Sequence, residues 1–141
     1  MNRVFKYAAC LSAALMLLAL PSFGQNYTVL KVNVPFDFVI GNNSLPAGTY
    51  VIYRSPAIPQ IILFQSGDHK VSVGFQTIAD GAGVRDGASQ LVFRRYGAEY
   101  FLSQVISAYT WPNPRQLMKS PRERELLASG QNPEKVIIVS K

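Results

Sequence analysis

A stretch of alternating apolar residues in the first half of the chain restricts the fold more than any other feature. Over Val32 to Tyr53 (VNVPFDFVIGNNSLPAGTYVIY) alternate residues are apolar up to Ile40, and a second apolar run begins at Tyr50. Alternation with a period of two places one set of side chains on one face of a strand, so the stretch predicts two β-strands. The Gly, Asn and Pro residues between them favour tight turns.

Similar runs separated by turn residues continue along the chain. Gly97-Ala98 joins the clearest hairpin, and Gly at its first position favours a type II′ turn. Pro35 lacks a backbone donor, which suits a strand edge or a bulge. The last run, Lys135–Ser140 (KVIIVS), is apolar on both faces, which predicts an internal strand. The predicted strands are Tyr27–Asn33, Phe36–Ile40, Thr49–Arg54, Gln60–Gln65, Lys70–Ile78, Gln90–Tyr96, Glu99–Ser107 and Lys135–Ser140.

A short helix is predicted just before the last strand. Ser120 is a suitable N-cap, Pro121 suits the first helical position, and Glu123 completes a capping box. Gly130 is a suitable C-terminal stop. We therefore expect an all-β fold, a small antiparallel β-sandwich or barrel of about eight strands with one short C-terminal helix.

The first residues have the features of a secretory signal peptide. Arg3 and Lys6 form a basic start, Tyr7 to Leu20 is uncharged and apolar, and small residues follow Pro21. We predict a cleaved signal peptide over 1–24 and a single β-rich domain over 25–141, exported to the periplasm or secreted. A retained membrane anchor is the alternative, but the apolar run is shorter than the ~20 residues that span a bilayer.

Two consequences follow from cleavage after Gly24. Cys10 is the only cysteine, so the mature domain would contain no disulfide. The formal charge of +6 would fall by two when Arg3 and Lys6 leave. The remaining excess of positive charge is modest and its basic residues are scattered along the sequence, a pattern that does not predict nucleic-acid binding. Because several prolines interrupt the short strands, we also expect the mature chain not to be an integral membrane protein.

The sequence offers few candidates for catalysis, and we predict no catalytic, cofactor-binding or metal site. His69, the only histidine, lies beside Asp68 in a turn, where a solvated role is favoured over a catalytic one. Asp37 and Glu99 are the candidate paired carboxylates, and outward-facing strand positions explain both more simply.

Two charged segments have a functional and a structural interpretation. The loop containing Asp80 and Asp86 invites a calcium site, but EF-hand spacing is absent and a plain connection is favoured. A basic run suggests contact with anionic lipid or cell-wall polymer. Glu123 and Glu125 interrupt it, so a solvated helix face is favoured. The run comprises Arg115, Lys119, Arg122 and Arg124.

Aromatic residues cluster on and after the predicted hairpin. If exposed together, they would form a platform for a ligand or glycan, whereas buried they belong to the core. We favour the core. The cluster comprises Tyr96, Tyr100, Phe101, Tyr109 and Trp111.

Three segments together resemble a group of small exported bacterial proteins. They are VPFDFVIGNNSLPAGTYVI (34–52), LVFRRYGAEYFLSQV (91–105) and KSPRERELLAS (119–129). The group shares a VPFDF-x-x-G…LPAG-x-Y opening, an RYG-x-x-YFL hairpin and a KS-x-RER-EL helix. The resemblance implies export and a single domain, and implies no catalytic residues.

These observations favour a non-enzymatic exported β-domain that binds a protein or envelope component. A small barrel that carries an apolar ligand is the alternative, and it would require a cavity lined by Phe36, Phe38, Val73 and Phe75. A hydrolase that uses His69 is a distant third.

Overall fold

The computed structural model describes residues 27–81, 87–108 and 113–140. This part of the chain contains ten strands and one helix. The strands are β1 (Tyr27–Val34), β2 (Phe38–Ile40), β3 (Asn43–Leu45), β4 (Gly48–Arg54), β5 (Ile61–Ser66), β6 (Ser72–Ala79), β7 (Gln90–Tyr96), β8 (Glu99–Ile106), β9 (Arg115–Leu117) and β10 (Glu134–Val139), and the helix is α1 (Pro121–Ala128).

All ten strands belong to one sheet. Eight of them run in the order β1-β4-β5-β6-β9-β8-β7-β10, and each pairs antiparallel with its neighbours. Strand β2 pairs in parallel with β8 at Val39 and Phe101, and β3 pairs with β2. The predicted all-β class with a short helix before the last strand is therefore confirmed.

The sheet curls until its two edge strands approach each other. Strands β1 and β10 contact one another, and the Ser140 hydroxyl donates a hydrogen bond to the Lys31 carbonyl at 2.7 Å. Of the two architectures left open by the sequence, this continuous curled sheet corresponds to a partly open barrel. Pro35 directly follows β1, which agrees with the prediction of an edge position.

The concave face of the sheet encloses the main hydrophobic core. Its largest side chains are Tyr50, Phe38, Phe64 and Phe93, each no more than 1% exposed. Alternate residues of β4 and β5 enter this core, as their sequence alternation predicts: Ile52 and Ile62 are fully buried. Burial of side chains of this size provides the main driving force for folding in a domain without disulfides.

A second cluster lies on the convex face, beneath α1. There the rings of Tyr96 and Phe101 pack edge to face, and Leu126 of the helix belongs to the same cluster. The helix begins after Ser120, whose hydroxyl accepts a hydrogen bond from the Glu123 amide, so the predicted N-cap is confirmed. The other half of the predicted capping box is wrong, because the Glu123 carboxylate contacts Arg94 and Tyr96. Gly130 ends it with φ of 83°, a conformation that favours glycine.

Three predictions about the strands are wrong in detail. Strand β10 is an edge strand that pairs with β7, not an internal one, and Ile137 and Val139 of its outer face are 44% and 51% exposed. The strand predicted from Phe36 begins at Phe38, because Phe36 lies in a bend and the Asp37 carboxylate bonds the Ala47 amide. Strands β3 and β9 fall in segments where no strand was predicted, since three residues show no recognisable alternation.

Candidate functional site

The three segments that carry the sequence resemblance pack against one another. The Phe36 ring stacks on Tyr100 with centroids 3.8 Å apart, and it meets Phe93 edge to face at 5.2 Å. Val39, which follows in β2, packs against the cluster beneath α1. The opening segment, the hairpin and the helix thus form one structural unit.

A buried ion pair joins the hairpin to the helix at this unit. The Arg94 guanidinium contacts the Glu123 carboxylate, and the Tyr96 hydroxyl donates to Glu123 Oε1 at 3.2 Å. Arg94 Nε lies close to Glu123 Oε1, but the two atoms are not aligned for a hydrogen bond. Arg94 Nη2 donates a hydrogen bond to Glu123 Oε2 at 3.4 Å. The Glu123 side chain is 2% exposed. A carboxylate at this depth requires such partners, because an unpaired buried charge is strongly unfavourable.

The surroundings of Tyr96 also affect its ionisation. Burial raises the pKa of its phenol, and the nearby Glu123 charge and hydrogen bond raise it further, while Arg94 lowers it. Both carboxylate oxygens of Glu123 are engaged by Arg94 and Tyr96. This arrangement holds α1 on the sheet, which gives the Arg-Tyr-Gly and Arg-Glu-Arg segments a structural role.

The two candidate paired carboxylates each have a structural partner. Asp37 Oδ1 accepts a hydrogen bond from the Ala47 amide at 2.8 Å, which fixes the turn before β4. Glu99 pairs with Arg122 of α1 at 2.8 Å, and the hydrogen bond from Arg122 lowers the pKa of Glu99. Glu99 lies in β8, as the simpler interpretation expects, whereas Asp37 lies between β1 and β2 and not on a strand.

His69 lies at an exposed turn between β5 and β6. Its φ is 59°, and its amide donates to the Ser66 carbonyl at 2.9 Å. The neighbouring Asp68 accepts hydrogen bonds from the Ser66 hydroxyl and, at 3.2 Å, from the Lys70 amide. Asp68 Oδ1 therefore serves the turn, and these contacts do not describe a His–Asp catalytic pair.

The proposed calcium loop is only partly described. Asp80 Oδ2 accepts a hydrogen bond from Gln104 Nε2 at 2.7 Å, and Asp86 lies outside the described residues. Within residues 27–81, 87–108 and 113–140, no three acidic, histidine or cysteine side chains converge as metal ligands.

The aromatic residues that suggested a platform are packed where the structure describes them. Tyr96 and Phe101 are 2% and 1% exposed, and Tyr100 is half-buried against Phe36. Tyr109 and Trp111 lie outside the described residues.

The residues expected to line a carrier cavity belong to the main core. Phe38 is buried, Phe36, Val73 and Phe75 pack against the same cluster, and Phe75 meets Phe64 edge to face. These four side chains therefore contact the main core that the described residues form.

An open groove on the convex face combines apolar and basic side chains. Ile78 of β6 and Met118 after β9 line it and are 57% and 63% exposed. Lys119 and Arg124 form its basic side, and the groove has a volume of about 540 Å³. Neither cation forms an ion pair within the described part of the chain, whereas Arg122 is paired with Glu99 and Glu125.

The sequence singled out the two cations of this groove and missed its apolar residues. Ile78 falls on the polar, outward face of the alternation in β6, so its exposure was readable from the sequence, whereas Met118 follows a strand of three residues that no pattern predicts. Arg115, at the start of β9, is half-buried and does not line the groove.

Comparisons with protein-family models, curated proteins and solved structures gave no match. No helix in the described residues is long and apolar enough to cross a bilayer.

Proposed function

We propose that the protein is an exported, non-enzymatic β-domain that associates with the cell envelope by docking on an anionic lipid surface. The observation that carries this proposal is the groove of Ile78, Met118, Lys119 and Arg124. Large apolar side chains beside cations match the acyl boundary and headgroups of such a surface.

The size of the groove supports weak and reversible association. An apolar side chain gains about 1.5–3 kcal/mol when fully buried, and shallow insertion of Ile78 and Met118 gains less. Each cation near an anionic membrane contributes about 1 kcal/mol. The sum corresponds to peripheral contact, which we expect to weaken as salt screens Lys119 and Arg124.

Vesicle flotation of the domain tests the proposal. The chain should float with phosphatidylglycerol vesicles at low salt and stay unbound with phosphatidylcholine alone. The double variants I78S/M118S and K119Q/R124Q should lose flotation. The matched controls I58S and K31Q/K135Q change exposed residues outside the groove and should float normally. Equal flotation of all variants would refute docking through this groove.

Export is tested separately by the mass of the chain recovered from its own cells. Native mass spectrometry of the exported fraction should show a chain that begins at Gln25. An added mass of a few hundred daltons that is lost on denaturation would favour the carrier function instead.

A further inference from the structure

Met118 has the most exposed large apolar side chain in the described part of the chain. It is 63% exposed, whereas Leu117 directly before it is 4% exposed and belongs to the main core. The thioether of Met118 therefore lies at the surface of the domain, where it lines the groove on the convex face together with Ile78.

Met118 also carries the single sulfur atom of the predicted mature domain. The chain has three methionines and one cysteine, and Met1, Cys10 and Met16 all precede the predicted cleavage after Gly24. Methionine commonly fills irregular gaps in protein cores, because its thioether is flexible. In this domain the two core clusters consist of aliphatic and aromatic residues, and the thioether lies in the groove instead.

The surroundings of Met118 suit the oxidised form of its side chain as well as the reduced form. A hydroperoxide can reach an exposed thioether directly, and the sulfoxide that forms is polar. Lys119 and Arg124 line the same groove and carry N–H donors that suit a sulfoxide oxygen. The oxidised side chain therefore fits the groove without burial of an unpaired polar atom.

We propose that Met118 is a reversible oxidation site that controls attachment of the domain to the anionic lipid surface, an inference that rests on the proposed docking function. The thioether sulfur attacks the distal oxygen of a hydroperoxide, and an S–O bond forms as the O–O bond breaks. The sulfur loses two electrons and the peroxide gains them. The proton of the transferred OH group passes to the oxygen that leaves, as water from hydrogen peroxide or as an alcohol from an organic hydroperoxide.

Oxidation replaces one of the two large apolar side chains of the groove with a polar side chain. A sulfoxide loses hydration when it enters the acyl boundary, so the oxidised domain favours water over the lipid surface. A methionine sulfoxide reductase restores the thioether, and the sulfoxide oxygen leaves as water while two thiols become a disulfide. Attachment then follows the balance between hydroperoxide and reductase.

Peptide mapping of the full mature chain after treatment with hydrogen peroxide tests the oxidation site. The chain should gain one oxygen atom, located in the peptide that contains Met118, and Met118→Leu should gain none under the same conditions. The rate should be close to the rate of the same chain unfolded in urea, because the sulfur is exposed. A folded chain that gains no oxygen at Met118 would overturn the proposal.

Vesicle flotation of the oxidised chain tests the effect of oxidation on docking. With phosphatidylglycerol vesicles at low salt, oxidation should weaken binding of the wild type about fivefold or more, as expected for loss of one inserted apolar side chain. Treatment with a methionine sulfoxide reductase should restore binding. Met118→Leu keeps an apolar side chain of similar volume and should float equally before and after peroxide.

The variant I58M/M118L separates oxidation in the groove from oxidation elsewhere on the chain. It moves the single sulfur to position 58, which is exposed and lies outside the groove, so oxidation there should leave flotation unchanged. Equal flotation of the wild type before and after oxidation, or an equal loss in I58M/M118L, would overturn the proposal. Failure of the docking function appears differently, as a lack of flotation by the untreated wild type. That result would overturn the release step as well, whereas peptide mapping still decides the oxidation site.

Discussion

At the scale of single residues, the ion pair between Arg94 and Glu123 is the strongest constraint outside the apolar core. Glu123 is 1% exposed, and its partner Arg94 lies 29 positions earlier in the chain. The pair makes the position of the helix depend on a specific residue of β7.

We expect Glu123→Gln to lower the free energy of unfolding by about 2–4 kcal/mol, because it leaves Arg94 with an uncompensated charge. The expected loss of stability is smaller than for a fully buried ion pair, because the Arg94 side chain is 17% exposed. The double variant R94L/E123L should recover much of the loss. Urea unfolding of the wild type and of both variants measures these changes in the free energy of unfolding.

The matched control for this prediction is Glu125→Gln, on the same helix with a side chain 69% exposed. It should change the free energy of unfolding by less than about 0.5 kcal/mol. Equal losses for the two glutamates would show that the buried pair does not hold the helix.

The raised pKa of Tyr96 predicts a dependence of stability on alkaline pH. Its folded-state pKa lies above the ordinary value of about 10, so its contribution is fully present below pH ~10 and is lost as pH rises through the folded value. Tyr96→Phe should therefore make stability fall less steeply above pH ~10.

Urea midpoints between pH 8 and 11.5 measure this effect, with Tyr53→Phe as the control that removes a phenol from the other half of the chain. At pH 8, Tyr96→Phe should cost about 0.5–1.5 kcal/mol for the lost hydrogen bond to Glu123. Parallel curves for the wild type and Tyr96→Phe would contradict the assignment.

At the scale of secondary structure elements, α1 depends on the N-cap residue that precedes it. Ser120 is 4% exposed, and its hydroxyl accepts a hydrogen bond from the Glu123 amide at 3.0 Å. Ser120→Ala should cost about 1–2 kcal/mol, because the buried amide loses its partner. Thermal unfolding should show the loss, and Ser44→Ala on exposed β3 should not.

Elements specified by local signals were predictable from the sequence. The Ser120 N-cap and Pro121 at the first helical position fix where α1 begins. Gly97 has φ of 60° while Ala98 does not take a positive φ, as the predicted type II′ turn requires. Such features depend on a few neighbouring residues, whose conformational preferences are readable without knowledge of the fold.

The order of strands in the sheet and the pairs between distant segments were not predictable. Strand β10 is apolar on both faces, yet it is an edge strand that pairs with β7 and only approaches β1 on its other side. The contact between Arg94 and Glu123 was not predictable either. Alternation places Arg94 on a strand and the N-cap signal places Glu123 on a helix, but neither signal shows that the two side chains meet. The groove is also non-local, since Ile78 and Met118 meet only when β6 pairs with β9.

At the scale of the whole molecule, the domain presents different chemistry on its different surfaces. The concave face holds the packed core, and α1 covers part of the convex face through Leu126. Beside that helix the groove remains open, with Ile78 and Met118 exposed. An exported domain with this arrangement would meet the envelope with the groove and leave the rest of its surface in water.

A fluorophore placed at Met118 tests this orientation most directly. Cys10 is the only cysteine and lies before Gln25, so in the domain that begins at Gln25 M118C gives one labelling site for a polarity-sensitive dye, and I58C gives the matched control. On addition of phosphatidylglycerol vesicles at low salt, the emission at position 118 should shift to the blue and the emission at position 58 should not. An unchanged spectrum at position 118, or equal shifts at both positions, would contradict docking of the domain through its groove.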